Sequence, residues 1–171
     1  TGEFRLGRLT GFFGANSSGK SALLQFLLMM KQTVESADRS RVLETGGERD
    51  YTTIGSLFDV VYGHQLPGRI GLDLRWSALK PVEVPDPNRE GESHKVSHLE
   101  FETTVSVEQD GVTVAEFAYT FDHSGQKARI GMVQGTGDPS DYHMRVEGYN
   151  LRPVQGNSAP LPPPVKSYGF P

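Results

Sequence analysis

Residues 99–121 read LEFETTVSVEQDGVTVAEFAYTF, and this stretch decides most of the fold. Apolar and polar residues alternate before Asp110-Gly111 and again after it, which is the pattern of two half-buried β-strands. The Asp-Gly pair is typical of a tight type I′ turn. Because Val114 and Phe117 lie three residues apart, the inward phase slips once, and a β-bulge between them would restore it. The stretch therefore predicts an antiparallel hairpin.

Further strands are predicted on both sides of this hairpin. Residues 69–76 alternate cleanly, and turn signals at Ser124-Gly125 and in GTGDPSD set off two more strands, over 127–134 and 142–147. Residues 81–95, PVEVPDPNREGESHK, are rich in proline and charge, and we expect them to form a surface loop. Together these patterns predict an antiparallel meander of about five strands.

A different pattern stands near the start of the chain. Residues 14–21 read GANSSGKS and match G-x-x-x-x-G-K-[ST] at every constrained position. A loop of this kind turns backbone N–H groups toward phosphate oxygens and opens onto a helix N-terminus. We predict that Lys20 reaches the β- and γ-phosphates of ATP as the catalytic residue, and that the Ser21 hydroxyl ligates Mg²⁺. The predicted cofactor-binding residues are Gly14, Ala15, Asn16, Ser17, Ser18, Gly19, Lys20 and Ser21.

The residues on either side of this loop suit a nucleotide-binding unit. Thr10 to Phe13 is a β-prone lead into the loop, and SALLQFLLMMKQTVES after it contains good helix formers without glycine or proline. Because its apolar residues surround most of the helix, we expect a buried helix; a membrane or partner-binding helix is the alternative, but the run is short. The predicted fold class is α/β (α+β): a P-loop strand-loop-helix followed by an antiparallel β-subdomain.

The loop and the helix also resemble a known group of ATPases. G-x-N-x-x-G-K-S followed at once by ALLQFLLMMKQ resembles the ATP-binding start of ABC-type, SMC- and RecF-like ATPases, especially the bacterial predicted AAA ATPases related to the OLD family. The stretch TIGSLFDVVYGHQ, residues 53–65, is similar to the G-S-F-x-D-L-V segment of that group. The resemblance implies an ATP-dependent homodimer of ATPase heads that acts in DNA maintenance or phage defence, with DNA or an effector protein as partner. It also makes Gln65 a candidate for the Q-loop glutamine that contacts the metal.

The same resemblance implies a division of the chain. Residues 1–150 would be the N-terminal lobe of an incomplete ABC-type ATPase head, with the P-loop and helix in 1–50 and mostly antiparallel β-structure in 51–150. Residues 151–171 would form a proline-rich extended tail or linker. Because the chain begins at Thr1 instead of Met, we expect an expressed fragment, a processed product or a piece of a longer protein.

Two stretches imitate the missing ATPase motifs. Phe117 to Asp122 is a hydrophobic run that ends in Asp, like a Walker B strand, but His123 stands where the glutamate belongs. The following HSGQK echoes the LSGGQ signature without its leading leucine and one glycine. We interpret both as parts of a hairpin, and we therefore expect ATP binding with little turnover. The spacing of His94 and His98 on a β-strand argues against a metal-binding pair.

Composition limits the other classes of function. The net charge of −4 disfavours DNA binding by this stretch alone. The chain contains no cysteine, which excludes a disulfide framework. No apolar run approaches the ~20 residues of a membrane span, so we expect no membrane partner and a cytoplasmic location. Two alternatives stay open. One is a small P-loop kinase or phosphotransferase, and the other is a β-rich protein-binding module with a vestigial P-loop.

Overall fold

The computed structural model describes residues 2–16, 18–38, 41–86, 89–123, 125–138, 140–148 and 161–164. Helices α1 (Lys20–Glu35) and α2 (Leu57–Val60) and a 3₁₀ turn (Tyr62–His64) precede the sheet. The sheet consists of β1 (Gly68–Pro85), β2 (Ser93–Val107), β3 (Val112–His123), β4 (Gln126–Gln134) and β5 (Tyr142–Glu147). Its strands lie in the order β1-β2-β3-β4-β5, and each is antiparallel to the next. The molecule is therefore mainly a five-stranded antiparallel sheet.

The predicted α/β fold class is wrong, and with it the expected fold of an incomplete ABC-type head. Residues 10–13 form no strand, and Phe13 is 95% exposed. A strand needs a neighbour for its backbone hydrogen bonds, and no described residue pairs with this stretch in a sheet. The strand-loop-helix unit of a P-loop fold is therefore missing its strand, and α1 packs against an antiparallel sheet instead.

The central hairpin and its irregularity follow the sequence pattern. Thr104 opposes Glu116 and Val105 opposes Val114, so Ala115 is one extra residue on β3. This confirms the predicted β-bulge. The predicted type I′ turn is wrong, because neither Asp110 nor Gly111 has the positive φ that this turn requires; the Glu108 N–H instead donates to the Gly111 carbonyl at 2.9 Å. Residues 117–122, which imitate a Walker B strand, lie within β3, and β4 begins at Gln126 just after the turn. Both motif look-alikes therefore belong to hairpins, as we interpreted them, although Ser124 lies outside the described residues.

The surface loop predicted for residues 81–95 is wrong at both of its ends. Strand β1 continues to Pro85 and β2 begins at Ser93, and the paired stretch runs from Val82 opposite Val96 to Pro85 opposite Ser93. Residues 78–81 of β1 bulge out opposite residue 97 of β2. The prolines suggested a loop, but β1 is an edge strand, and proline is tolerated where the missing N–H is not needed for pairing.

Helix α1 covers one face of the sheet. Met29 is fully buried, and it belongs to one cluster with buried residues of β2, β3 and the segment after α1 (Leu43, Phe101, Val105, Val114 and Phe117). The prediction of a buried helix holds for this side alone, because Leu24 is 46% exposed and Val34 is 48% exposed. Only the side facing the sheet finds apolar partners among the described residues. No helix in the described ranges combines the length and the hydrophobicity that a membrane crossing requires.

Two buried polar side chains of α1 hold the segment that follows the helix. The Gln32 amide nitrogen Nε2 donates to the Glu44 carbonyl at 2.7 Å and to the Thr52 carbonyl at 3.1 Å. The Thr52 N–H donates back to Gln32 Oε1 at 3.2 Å. Thr33 Oγ1 accepts from the Glu44 N–H at 2.8 Å and donates to the Met29 carbonyl. These bonds satisfy backbone groups that burial would otherwise leave without partners.

Tyr142, at the start of β5, forms hydrogen bonds that stabilise this edge of the sheet. Its side chain is almost fully buried, and its hydroxyl donates to the Val114 carbonyl at 2.7 Å, next to the bulge in β3. Its backbone N–H and carbonyl pair with Leu161 at 3.0 and 2.7 Å. Residues 161–164 thus include one bridge to the sheet, and the rest of the tail predicted for 151–171 lies outside the described residues.

We expect Tyr142→Phe to lower the free energy of unfolding by about 1–2 kcal/mol, because it removes one hydrogen bond and leaves the buried Val114 carbonyl without this donor. Urea denaturation followed by circular dichroism measures the change. Tyr62→Phe is the matched control, since Tyr62 is 98% exposed. Equal stability of the two variants would contradict the role given to the Tyr142 hydroxyl.

Candidate functional site

The glycine loop runs into the first turn of α1. Gly19 is the residue before the helix and has φ 84°, in the left-handed region that favours glycine. At Gly14, an added Cβ would meet Ser18 Oγ at 3.0 Å, a tight contact. Both glycines of the motif therefore stand where a side chain would strain or crowd the loop. Ser17, which we predicted as a binding residue, lies outside the described residues.

The N-terminus of α1 is open to an anion. The first backbone hydrogen bond of the helix runs from the Leu23 N–H to the Gly19 carbonyl at 3.0 Å, so the N–H groups of residues 20–22 have no acceptor within the helix. No side chain caps this end, and its first turn contains no acidic residue. The partial positive charge of the helix end is therefore not neutralised by the helix itself.

The ammonium group of Lys20 folds back over the loop. Nζ donates to the Gly14 carbonyl at 2.8 Å and to the Ala15 carbonyl at 2.6 Å, and it lies 3.3 Å from Ser18 Oγ. These contacts place the positive charge at the mouth of the loop, beside the helix end. They also fix the backbone of the loop against the Lys20 side chain, so the loop and the ammonium group form one unit. All three contacts are exposed to solvent, and the ammonium is accessible to a ligand.

The two predicted metal ligands are Ser21 and Gln65. Ser21 lies in the first turn of α1 with an exposed side chain, next to Lys20. Gln65 follows the 3₁₀ turn and is also exposed, and none of the described hydrogen bonds joins it to the loop. Across the described residues, no group of three or more His, Cys, Asp or Glu side chains could hold a metal ion.

The structure brings together side chains that the sequence did not connect. His94 Nε2 lies 3.3 Å from Asp86 Oδ2, and its ring meets the His123 ring edge to face at 4.3 Å between centroids. His94 thus contacts a histidine of β3 instead of His98 in its own strand. No local pattern could have revealed this cluster, because its three members belong to the β1–β2 turn, β2 and β3.

Comparisons with known proteins add no assignment to this site. No protein-family model matches the chain, and neither a curated protein nor a solved structure is significantly similar to it. The resemblance to the SMC-, RecF- and OLD-like ATPases therefore rests on the loop, the helix and residues 53–65, and it stays a prediction.

Proposed function

We propose that this chain binds the phosphates of ATP, with Mg²⁺, at residues 14–21. The observation that carries the proposal is the position of the Lys20 ammonium, which the Gly14 and Ala15 carbonyls hold at the mouth of the loop. Phosphate oxygens are stronger acceptors for an ammonium than neutral carbonyls are, since both partners are then charged. A triphosphate would therefore take over hydrogen bonds that Lys20 now makes to its own loop.

Several residues of the loop would contribute to nucleotide binding. Lys20 would neutralise the β- and γ-phosphates, the N–H groups of residues 20–22 would donate to their oxygens, and Ser21 would complete the magnesium shell. The loop contains no acidic residue that could act as a base on water. We therefore propose binding with little hydrolysis by this chain alone. Turnover would require groups from other regions of an ATPase of the SMC-, RecF- or OLD-like group, with DNA or an effector as its partner and the cytoplasm as its location.

We expect Lys20→Ala to weaken MgATP binding by about 10- to 100-fold, because charge-assisted hydrogen bonds contribute about 1.5–3 kcal/mol. Isothermal titration calorimetry measures the dissociation constant. Lys31→Ala is the matched control: Lys31 lies on the same helix, 3.9 Å from Glu35 and above the Tyr51 ring, away from the loop. Equal binding by wild type and Lys20→Ala, or no binding by either, would overturn the proposal.

A second candidate is a β-rich protein-binding module with a vestigial loop. The sheet makes up most of the described chain, and its outer face is lined with charged pairs such as Lys127 to Glu100 at 2.5 Å. Absence of ATP binding, together with an intact fold, would favour this candidate. Phosphate transfer to an added acceptor would favour a kinase or phosphotransferase instead.

A further inference from the structure

Strand β1 forms a free edge of the sheet. It stands first in the strand order, and β2 is its only partner among the described residues; from Gly68 to Ser77 this pairing runs without a break. No backbone hydrogen bond from any described residue reaches its outer edge. At the opposite edge, β5 has the bridge to Leu161. An edge strand with unpaired N–H and C=O groups is a template for another strand.

The regular part of β1 lacks two of the residues that commonly protect an edge, although Arg69, Asp73 and Arg75 on its solvent face are charged. Residues 68–77 contain neither lysine nor proline, and the first of each are Lys80 and Pro81 in the bulge. The inward side chains of this part (Ile70, Leu72, Leu74 and Trp76) are only partly buried. Their neighbours on β2, Phe101 and Val105, are completely buried. Another strand along β1 would cover the apolar surface that the sheet leaves open here.

The sequence of β1 is complementary to itself about Leu74. In an antiparallel pair related by a two-fold axis at Leu74, Asp73 of one copy opposes Arg75 of the other, and the reverse pair forms by symmetry. On the inner face, Leu72 opposes Trp76 and Leu74 opposes itself. Both faces therefore match in kind, with charges on the solvent side and apolar side chains on the core side.

Neighbouring registers lack this match. An axis at Asp73 sets Asp73 against Asp73, and an axis at Arg75 sets Arg75 against Arg75. An axis at Leu72 brings Arg69 opposite Arg75. Like charges directly opposite each other are destabilising. A register with the axis between two residues would set inner side chains against outer ones. Charge and face together select the register centred on Leu74.

Within one chain these charges already form an ion pair. Arg75 Nη2 lies 2.8 Å from Asp73 Oδ2, and Arg75 Nε lies 3.8 Å from Glu100 Oε2. The hydrogen bond to Asp73, followed by the charges of Asp73, Glu100 and Glu3, raises the pKa of Arg75. Both groups are exposed and lie on the same face of the edge strand, where they can turn to a neighbouring chain.

We propose that two copies of this chain pair edge to edge through β1, antiparallel about a two-fold axis at Leu74, so that the sheet continues from one copy into the other. This interface is separate from the loop at residues 14–21, and it does not depend on nucleotide. A second copy is the occupant that the charges favour, because the pattern Leu72-Asp73-Leu74-Arg75-Trp76 is complementary to its own reverse.

Charge reversal with rescue tests the register. Sedimentation equilibrium over a concentration series should show a wild-type dimer, and Arg75→Asp should raise its dissociation constant about tenfold or more, because two symmetry-related pairs become repulsive. Asp73→Arg should do the same. The double variant Asp73→Arg/Arg75→Asp should recover most of the affinity, since the opposite charges face each other again. A monomeric wild type, or a double variant as weak as the singles, would overturn the proposal.

The absence of native cysteine allows a second, independent test. In the proposed pair the two residues 74 face each other at a Cβ separation of about 4.5–5.5 Å, close to the range of a disulfide. Leu74→Cys should therefore form a covalent dimer on mild oxidation. Ser77→Cys is the matched control: Ser77 would oppose Gly71, so the two residues 77 would lie about 20 Å apart. No cross-link by folded Leu74→Cys, or equal cross-linking of both variants, would overturn the register.

Discussion

Phe101→Ala is expected to lower the free energy of unfolding by about 3–5 kcal/mol, the largest effect of any substitution considered for this protein. Phe101 is completely buried on the face of β2 that meets α1, and its ring lies 4.9 Å from the Tyr119 ring. Removing the ring forfeits its burial and leaves a cavity between the sheet and the helix, which cannot fully collapse because β2 is paired on both sides. Urea denaturation gives the change in free energy.

Phe13→Ala is the matched control for this measurement. Phe13 has the same side chain but is 95% exposed, so we expect a change within about 0.5 kcal/mol. The comparison also tests the correction to the predicted fold. A cost for Phe13→Ala as large as that for Phe101→Ala would mean that residues 10–13 pack in a core, as the α/β prediction required.

Gln32→Leu is expected to lower the free energy of unfolding by about 2–4 kcal/mol, although it replaces a polar side chain by an apolar one of similar size. The Gln32 amide makes hydrogen bonds with the Thr52 N–H and with the carbonyls of Glu44 and Thr52. Leucine cannot make these bonds, so backbone groups at a buried or partly buried position lose their partners. Thermal unfolding measures the loss, and hydrogen exchange at the Thr52 amide should accelerate.

Gln25→Leu on the same helix is the control for polarity and helix propensity. Gln25 is exposed, so its replacement should change stability by no more than about 0.5 kcal/mol. If Gln32→Leu proved as stable as wild type, or if the Thr52 amide kept its protection, the segment after α1 would be held by its apolar contacts through Leu43 and Ile54 instead.

The strands were predictable because their signals are local. Alternation over residues 69–76 and 99–107 and the slip between Val114 and Phe117 each depend on neighbouring residues, and the structure has strands and a bulge there. The hairpin connection also lies at Asp110-Gly111, but its type was predicted wrongly, since neither residue has a positive φ. The extensions of β1 and β2 beyond the bulge were missed, because prolines hid the alternation of Val82 and Val84.

Long-range features escaped prediction. Whether residues 10–13 become a strand depends on a neighbouring strand, which no local pattern supplies, and the expected α/β fold failed for this reason. The partial burial of α1 could not be predicted either. Apolar residues around most of a helix do not determine how many of its sides will pack against other elements. Likewise, the sequence around Gln32 does not indicate that its side chain will form hydrogen bonds with the Thr52 backbone.

The candidate site was more accessible to prediction than the fold around it. Its spacing is dictated by the geometry of one short loop, so Gly14, Gly19 and Lys20 could be identified together, and the structure brings them together. Gln65 was proposed from a resemblance, and its distance from the loop in sequence meant that only tertiary structure could join the two. Binding of nucleotide by these residues remains the prediction that the Lys20 experiment tests.

The order of the strands also affects how this protein can fold while it is being synthesised. Because β1 to β5 lie in the sheet in the order in which they are synthesised, each strand can pair with the one made just before it. No strand has to wait for a distant partner, which keeps loop closures short and favours fast folding. The sheet can therefore grow one hairpin at a time during translation, and each new strand covers the edge that the previous one exposed.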